Sequence, residues 1–156
     1  MKHLLALFSA CSILASCSSE SSEKPTPSNE ITFNKNEVTK TPDGIMLKKV
    51  LTSANQFSSC REVWINSYKF DLAVEGKDTT YLATSDHLFR TPEKLHVGTT
   101  FAEIPGKLRK TLSKEPGWGY YVTLPSGWNL GFCEGAGCTD SEPTVSSKVK
   151  WIFKRK

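Results

Sequence analysis

From residue 68 to residue 74 the chain alternates: Tyr68, Phe70, Leu72 and Val74 fall on one side, and Lys69, Asp71 and Ala73 on the other. A period of two is that of a half-buried β-strand. Glu75-Gly76-Lys77-Asp78 supplies a turn, and residues 79–84, rich in β-formers, return as the second strand of a hairpin. A second hairpin is marked by residues 120–124, the turn Pro125-Ser126-Gly127, and residues 128–133. Near the C-terminus Val149, Trp151 and Phe153 alternate with Lys148, Lys150 and Lys154, which predicts a final strand with one wet side and an edge position guarded by its lysines.

Helical spacing is scarcer. Phe101, Ile104, Leu108 and Leu112 recur at helical intervals between residues 100 and 113, and Thr100 with Glu103 has the capping-box pattern. Pro105 and Gly106 interrupt that run, so the helix starts either at the capping box or at Pro105. Leu47, Val50, Leu51 and Ala54 line up for a second helix within residues 45–57, a segment that strand fits almost equally. The expectation is an α+β fold: one small domain with an antiparallel sheet of two hairpins plus a C-terminal strand, and one or two helices.

The N-terminus follows another rule. Lys2 and His3 precede an apolar run from Leu4 to Leu14, broken by Ser9 and Ser12. It is too short to cross a bilayer as a helix, which takes about 20 apolar residues, but it suits the hydrophobic part of a secretory signal. Leu14-Ala15-Ser16-Cys17 closes it, a large aliphatic residue three before a cysteine with small residues between. This resembles the lipobox of bacterial lipoproteins. The resemblance implies a signal peptide over residues 1–16, a diacylglycerol on the Cys17 thiol, cleavage before Cys17, and often a further acyl group on the new amino terminus. Two or three acyl chains give a stable membrane anchor where one is marginal. Ser18 and Ser19 stand where an inner-membrane retention signal of the enterobacterial type would have Asp, so the expected location is the cell envelope, at the outer membrane.

Residues 18–30 carry no apolar side chain and consist mainly of Ser, Glu, Pro, Thr and Asn. Such a segment buries too little surface to offset its ordering entropy, so residues 17–30 are expected to be the lipidated Cys and a disordered tether. Thirteen residues span at most about 45 Å. Residues 31–156 then suffice for one globular domain. The formal charge of +4 falls to +3 without Lys2, too mild a surplus to argue for nucleic acid.

Cys60, Cys133 and Cys138 belong to that domain. Export to an oxidising compartment favours a disulfide over a metal, either within Cys133-Glu134-Gly135-Ala136-Gly137-Cys138 or between Cys60 and one of the pair. Two cysteines without nearby histidines do not make a zinc site. Ser85-Asp86-His87 holds nucleophile, acid and base types, but sequence neighbours rarely converge on one reacting atom, and the G-x-S-x-G elbow is missing. Gly135-Ala136-Gly137 lacks the third glycine of a dinucleotide loop. Neither catalytic residues, nor a cofactor, nor a metal site is therefore expected. An enzyme built on His87 is kept as a third reading, after two that involve binding.

Trp118, Tyr120, Tyr121 and Trp128 gather around Glu115-Pro116-Gly117-Trp118-Gly119. Successive strand residues face opposite sides, so some of them should form an exposed aromatic shelf able to stack on sugar rings or anchor a protein. The row Lys148, Lys150, Lys154, Arg155 and Lys156 reads as a solvated basic face. Leu95-His96-Val97-Gly98-Thr99-Thr100-Phe101-Ala102-Glu103-Ile104 resembles the start of small envelope lipoproteins of the outer-membrane assembly type, in which the motif opens a helix packed on an antiparallel sheet. The Cys133–Cys138 spacing is similar to the loop some lysozyme inhibitors present, although residues 134–137 here include no histidine. The leading expectation is a lipid-anchored, non-catalytic envelope lipoprotein that binds a protein or glycan partner. The alternative is an inhibitor or immunity lipoprotein against a wall-degrading enzyme or toxin.

Overall fold

The computed structural model describes residues 38–156, so the signal peptide, Cys17, the tether and residues 31–37 lie outside the described residues. The described residues form nine strands: β1 (Val38–Lys40), β2 (Met46–Ser53), β3 (Gln56–Ile65), β4 (Tyr68–Glu75), β5 (Asp78–Thr84), β6 (Leu112–Glu115), β7 (Gly119–Thr123), β8 (Asn129–Phe132) and β9 (Trp151–Arg155). They make one sheet in the order β1-β2-β3-β4-β5-β9-β8-β7-β6. Every neighbouring pair is antiparallel. Among the described residues helix is limited to a 3-10 turn at Phe101–Glu103 and a single turn, α1, at Gly106–Arg109. The expected α+β class is thus corrected to a β-rich antiparallel fold.

Both predicted helices fail for local reasons. In residues 45–57, Ala54 and Asn55 form a two-residue turn, with Asn55 at φ 58°, so the chain folds back as the β2–β3 hairpin and a helix has nowhere to continue. At residue 100 the capping box does form: the Glu103 carboxylate accepts from the Thr100 N–H at 2.6 Å and from its hydroxyl at 2.7 Å. It caps only one turn. Ile104, preceding a proline, adopts φ −70°, ψ 130°, the extended conformation that position favours. The helix implied by the resemblance to assembly lipoproteins is therefore reduced to two fragments.

The C-terminal strand is also misplaced by the sequence reading. β9 is not an edge but lies between β5 and β8. Lys148 and Lys150 precede it, Ile152 and Phe153 are fully buried, and Lys154 lays its ammonium 4.9 Å from the Trp128 ring centre. The edges are β1 and β6.

Two cores lie on opposite faces of the sheet. On one face of β7–β9, Tyr120, Val122, Leu130, Phe132 and Ile152 pack against Leu95, Ile104 and Val149, which belong to segments running across that face. On the other face Phe153, Trp118 and Trp151 meet Cys60, Ala73, Tyr81 and Ala83 from β3–β5. Those strands reach it because the sheet curls, bringing β2 against the β6–β7 turn, whose strands lie six and seven places away in the strand order. Side chains close the gap instead of a backbone ladder. The Trp118 indole N–H donates to the Leu51 carbonyl at 2.9 Å, the Ala54 N–H donates to Glu115 at 2.6 Å, and Arg155 donates to the Thr52 carbonyl at 3.3 Å.

Candidate functional site

Curling leaves the inner face of the sheet partly uncovered on either side of Tyr81. The larger opening is a groove of about 880 Å³ between β2 and the Cys133–Cys138 loop. Its apolar surface comes from Val50, Leu51, Ala83, Trp118, Ala136 and Trp151, and its charged groups are Lys48, Lys49, Lys150 and Asp71. A more polar notch of about 630 Å³ lies at the other end, lined by Thr52, Ser58, Glu75, Asp78, Thr80 and Arg155 among others.

Trp151 determines the shape of the groove. Its indole lies against β8 and β7 at positions where a side chain would collide with it. A Cβ on Gly131 would overlap the ring, and one on Gly119 would come within 2.9 Å of it and 2.6 Å of the Phe132 carbonyl. Glycine at both places lets a large ring lie flat on the sheet. Trp118 meets Trp151 edge-on at 5.4 Å and Phe153 at 4.8 Å, which fixes the adjoining wall.

The lip is the disulfide loop. Cys133 and Cys138 are joined, and Asp140 fills the loop's interior, with its carboxylate accepting from the Gly137 N–H at 3.3 Å. Cys60 takes no part in the bridge and is completely buried beneath the groove. Burial first, then the nearby Asp71 carboxylate, pushes its thiol up to about 11, although Lys48 opposes the change. A thiol held that far from its thiolate is not a nucleophile at neutral pH.

The far end is held by an ion pair. Arg155 makes two hydrogen bonds to Glu115, at 3.2 and 2.5 Å, and its guanidinium sits 4.9 Å from the Trp118 ring centre and 5.3 Å from that of Tyr121. Burial acts against the Glu115 charge, but hydrogen bonds from Arg155, the Ala54 N–H and Ser53 outweigh it and hold its carboxyl below the usual value.

The sequence-predicted residues fall into different places. Trp118 and Tyr120 are buried, 5% and 3% exposed, and Tyr121 and Trp128 are half-buried, so the four do not form the exposed shelf expected of them. Tyr120 points into one core while Trp118 belongs to the other. Trp128 stacks with Phe70 and meets Phe89 edge-on, on the outer face. The most exposed tryptophan is Trp64, near the β3–β4 turn. The Ser85-Asp86-His87 side chains do not cooperate: Asp86 accepts from the Leu88 N–H at 2.9 Å and His87 is exposed. Among the described residues no cluster of His, Cys, Asp or Glu has the form of a metal site. Reasoning from sequence missed the groove because its parts, Lys48, Asp71, Trp118 and Trp151, are far apart in the chain. The glycines facing Trp151 were the available signal.

No protein-family model matches the chain, and no curated protein matches it. Among solved structures it is similar to the uncharacterized protein yfeY from Escherichia coli, with a TM-score of 0.39 and 14% identity over 62% of this chain and 77% of that chain. Among the described residues no helix is long and apolar enough to cross a membrane.

Proposed function

We propose that this chain is a non-catalytic envelope lipoprotein, anchored at the outer membrane by acyl chains on Cys17, whose curled β domain binds an envelope ligand in the groove between β2 and the disulfide loop. The anchor rests on Leu14-Ala15-Ser16-Cys17 and the polar segment that follows. The observation that carries the binding role is the groove itself, a concave, largely apolar surface with a few charged groups at its margin, the usual form of a ligand site. Binding replaces turnover in this reading because the buried thiol is unreactive and the one triad-like tripeptide does not assemble.

Two measurements on the full chain test it. Mass spectrometry of the envelope protein should find fatty acid on Cys17, and Cys17→Ser should leave the chain unprocessed and free of lipid; identical processing and fractionation of the two would remove the anchor. A ligand recovered with the purified protein should be lost from Ala136→Trp, which places a large ring on the exposed lip of the groove. Equal recovery from both would move the site elsewhere.

A further inference from the structure

We infer that the groove takes an amphiphile with a single alkyl chain and an anionic headgroup, an assignment that rests on the groove being the binding site. Three features converge on it. First, Lys48 and Lys150 line the groove against one carboxylate, Asp71, which already pairs with Lys48 at 2.6 Å. The surplus is positive, and exposed Lys150 stands at the margin, where a headgroup would meet solvent.

Second, the wall below the lysines offers apolar contact from Val50, Leu51, Trp118 and Trp151 over a volume within the range of about 300–1,000 Å³ usual for small-molecule sites. Third, two polar groups on that wall already have partners. The Trp118 N–H is used on Leu51, and the Thr84 hydroxyl donates to the Lys69 carbonyl at 2.6 Å while accepting from the Asp86 N–H at 2.9 Å. A sugar, which must replace hydrogen bonds around its whole ring, would find neither of these two groups free to answer it. An alkyl chain needs none, and its anionic end requires only the lysines.

The test uses photoreactive probes on the full chain in its own membranes, with crosslinked peptides mapped by mass spectrometry. Diazirine-bearing palmitate and a diazirine-bearing lysophosphatidylglycerol supply the anionic head from two sources; an alkyl glucoside and an alkyltrimethylammonium of equal chain length are the controls. The anionic probes should label peptides containing Leu51, Trp118 or Trp151 at least tenfold more than either control. Unlabelled competitors should gain about fourfold in potency per added methylene, as burial of one CH₂ gives. Lys150→Glu should cut anionic labelling and spare the glucoside, and Ala136→Trp should abolish both.

Equal labelling by neutral and anionic probes, or a preference for anions untouched by Lys150→Glu, would overturn the headgroup assignment. Failure of every probe to reach the groove, while another ligand is recovered with the parent and lost from Ala136→Trp, would overturn the amphiphile and leave the groove as the site. Failure of every probe with no ligand recovered at all would remove both.

Discussion

Strands β7, β8 and β9 are covered on both faces, whereas β2 and β3 expose most of one side to solvent. The covered half has the largest fully buried side chains, Phe132, Phe153, Leu130 and Ile152. The open half carries Trp64 at 69% exposure and Met46 at 57%. The groove lies where the open ribbon rolls over the covered sheet. One half therefore supplies rigidity, and the other supplies a wall that need not be packed to hold the fold.

Truncation is the strongest way to break that contrast. Phe132→Ala should lower stability by about 3–5 kcal/mol, since it removes an aromatic ring from a site with no room to collapse. Trp64→Ala on the ribbon should change it by less than about 0.5 kcal/mol. Urea denaturation of both variants would show it, and similar losses would mean that the two halves are held alike.

The next effect concerns the junction. Gly131→Ala should cost about 1–3 kcal/mol because the new methyl group forces Trp151 off the sheet. Near-ultraviolet circular dichroism should change with it, and an unaltered spectrum would mean that the indole does not depend on that space.

The smallest concerns the ion pair across the seam. The folded Glu115 carboxyl titrates below its ordinary value near 4.5, so its stabilisation is present above that value and fades as pH falls through the lower folded one. Glu115→Gln should cost on the order of 1 kcal/mol at neutral pH for a partly buried pair. It should also flatten the acid limb of stability as pH falls below about 4.5. Parallel acid limbs in thermal melts would show that the carboxylate does not contribute there.

The hairpins were legible from sequence because their information is local. Alternation at residues 68–74 and the turn residues after it define β4 and β5, and Pro125-Ser126-Gly127 marks the β7–β8 connection. That turn is further pinned by Glu93, which accepts from the Ser126 N–H and hydroxyl at 2.9 Å each, a contact no local pattern announces. The β2–β3 hairpin was obscured because Leu47, Val50, Leu51 and Ala54 satisfy helical spacing, and only Asn55 in a left-handed conformation decides the matter. The central place of β9 depended on pairing with β5, about seventy residues earlier, which alternation within the strand cannot express. The aromatic shelf failed because curling turned Trp118 inward, a global event with no signature in the four aromatic positions.

The insertion of β9 has a consequence for how the polypeptide reaches its native form. Its five residues come after every other strand, yet they bridge two pieces of sheet that have no other ladder between them among the described residues. Because translation delivers the N-terminal portion first, a nascent molecule holds two unjoined β-meanders, each with a naked hydrogen-bonding border, until β9 has been made. Termination before Trp151 would leave those borders open to neighbouring molecules, so loss of β9 should be seen as insoluble protein rather than as a slightly shortened one.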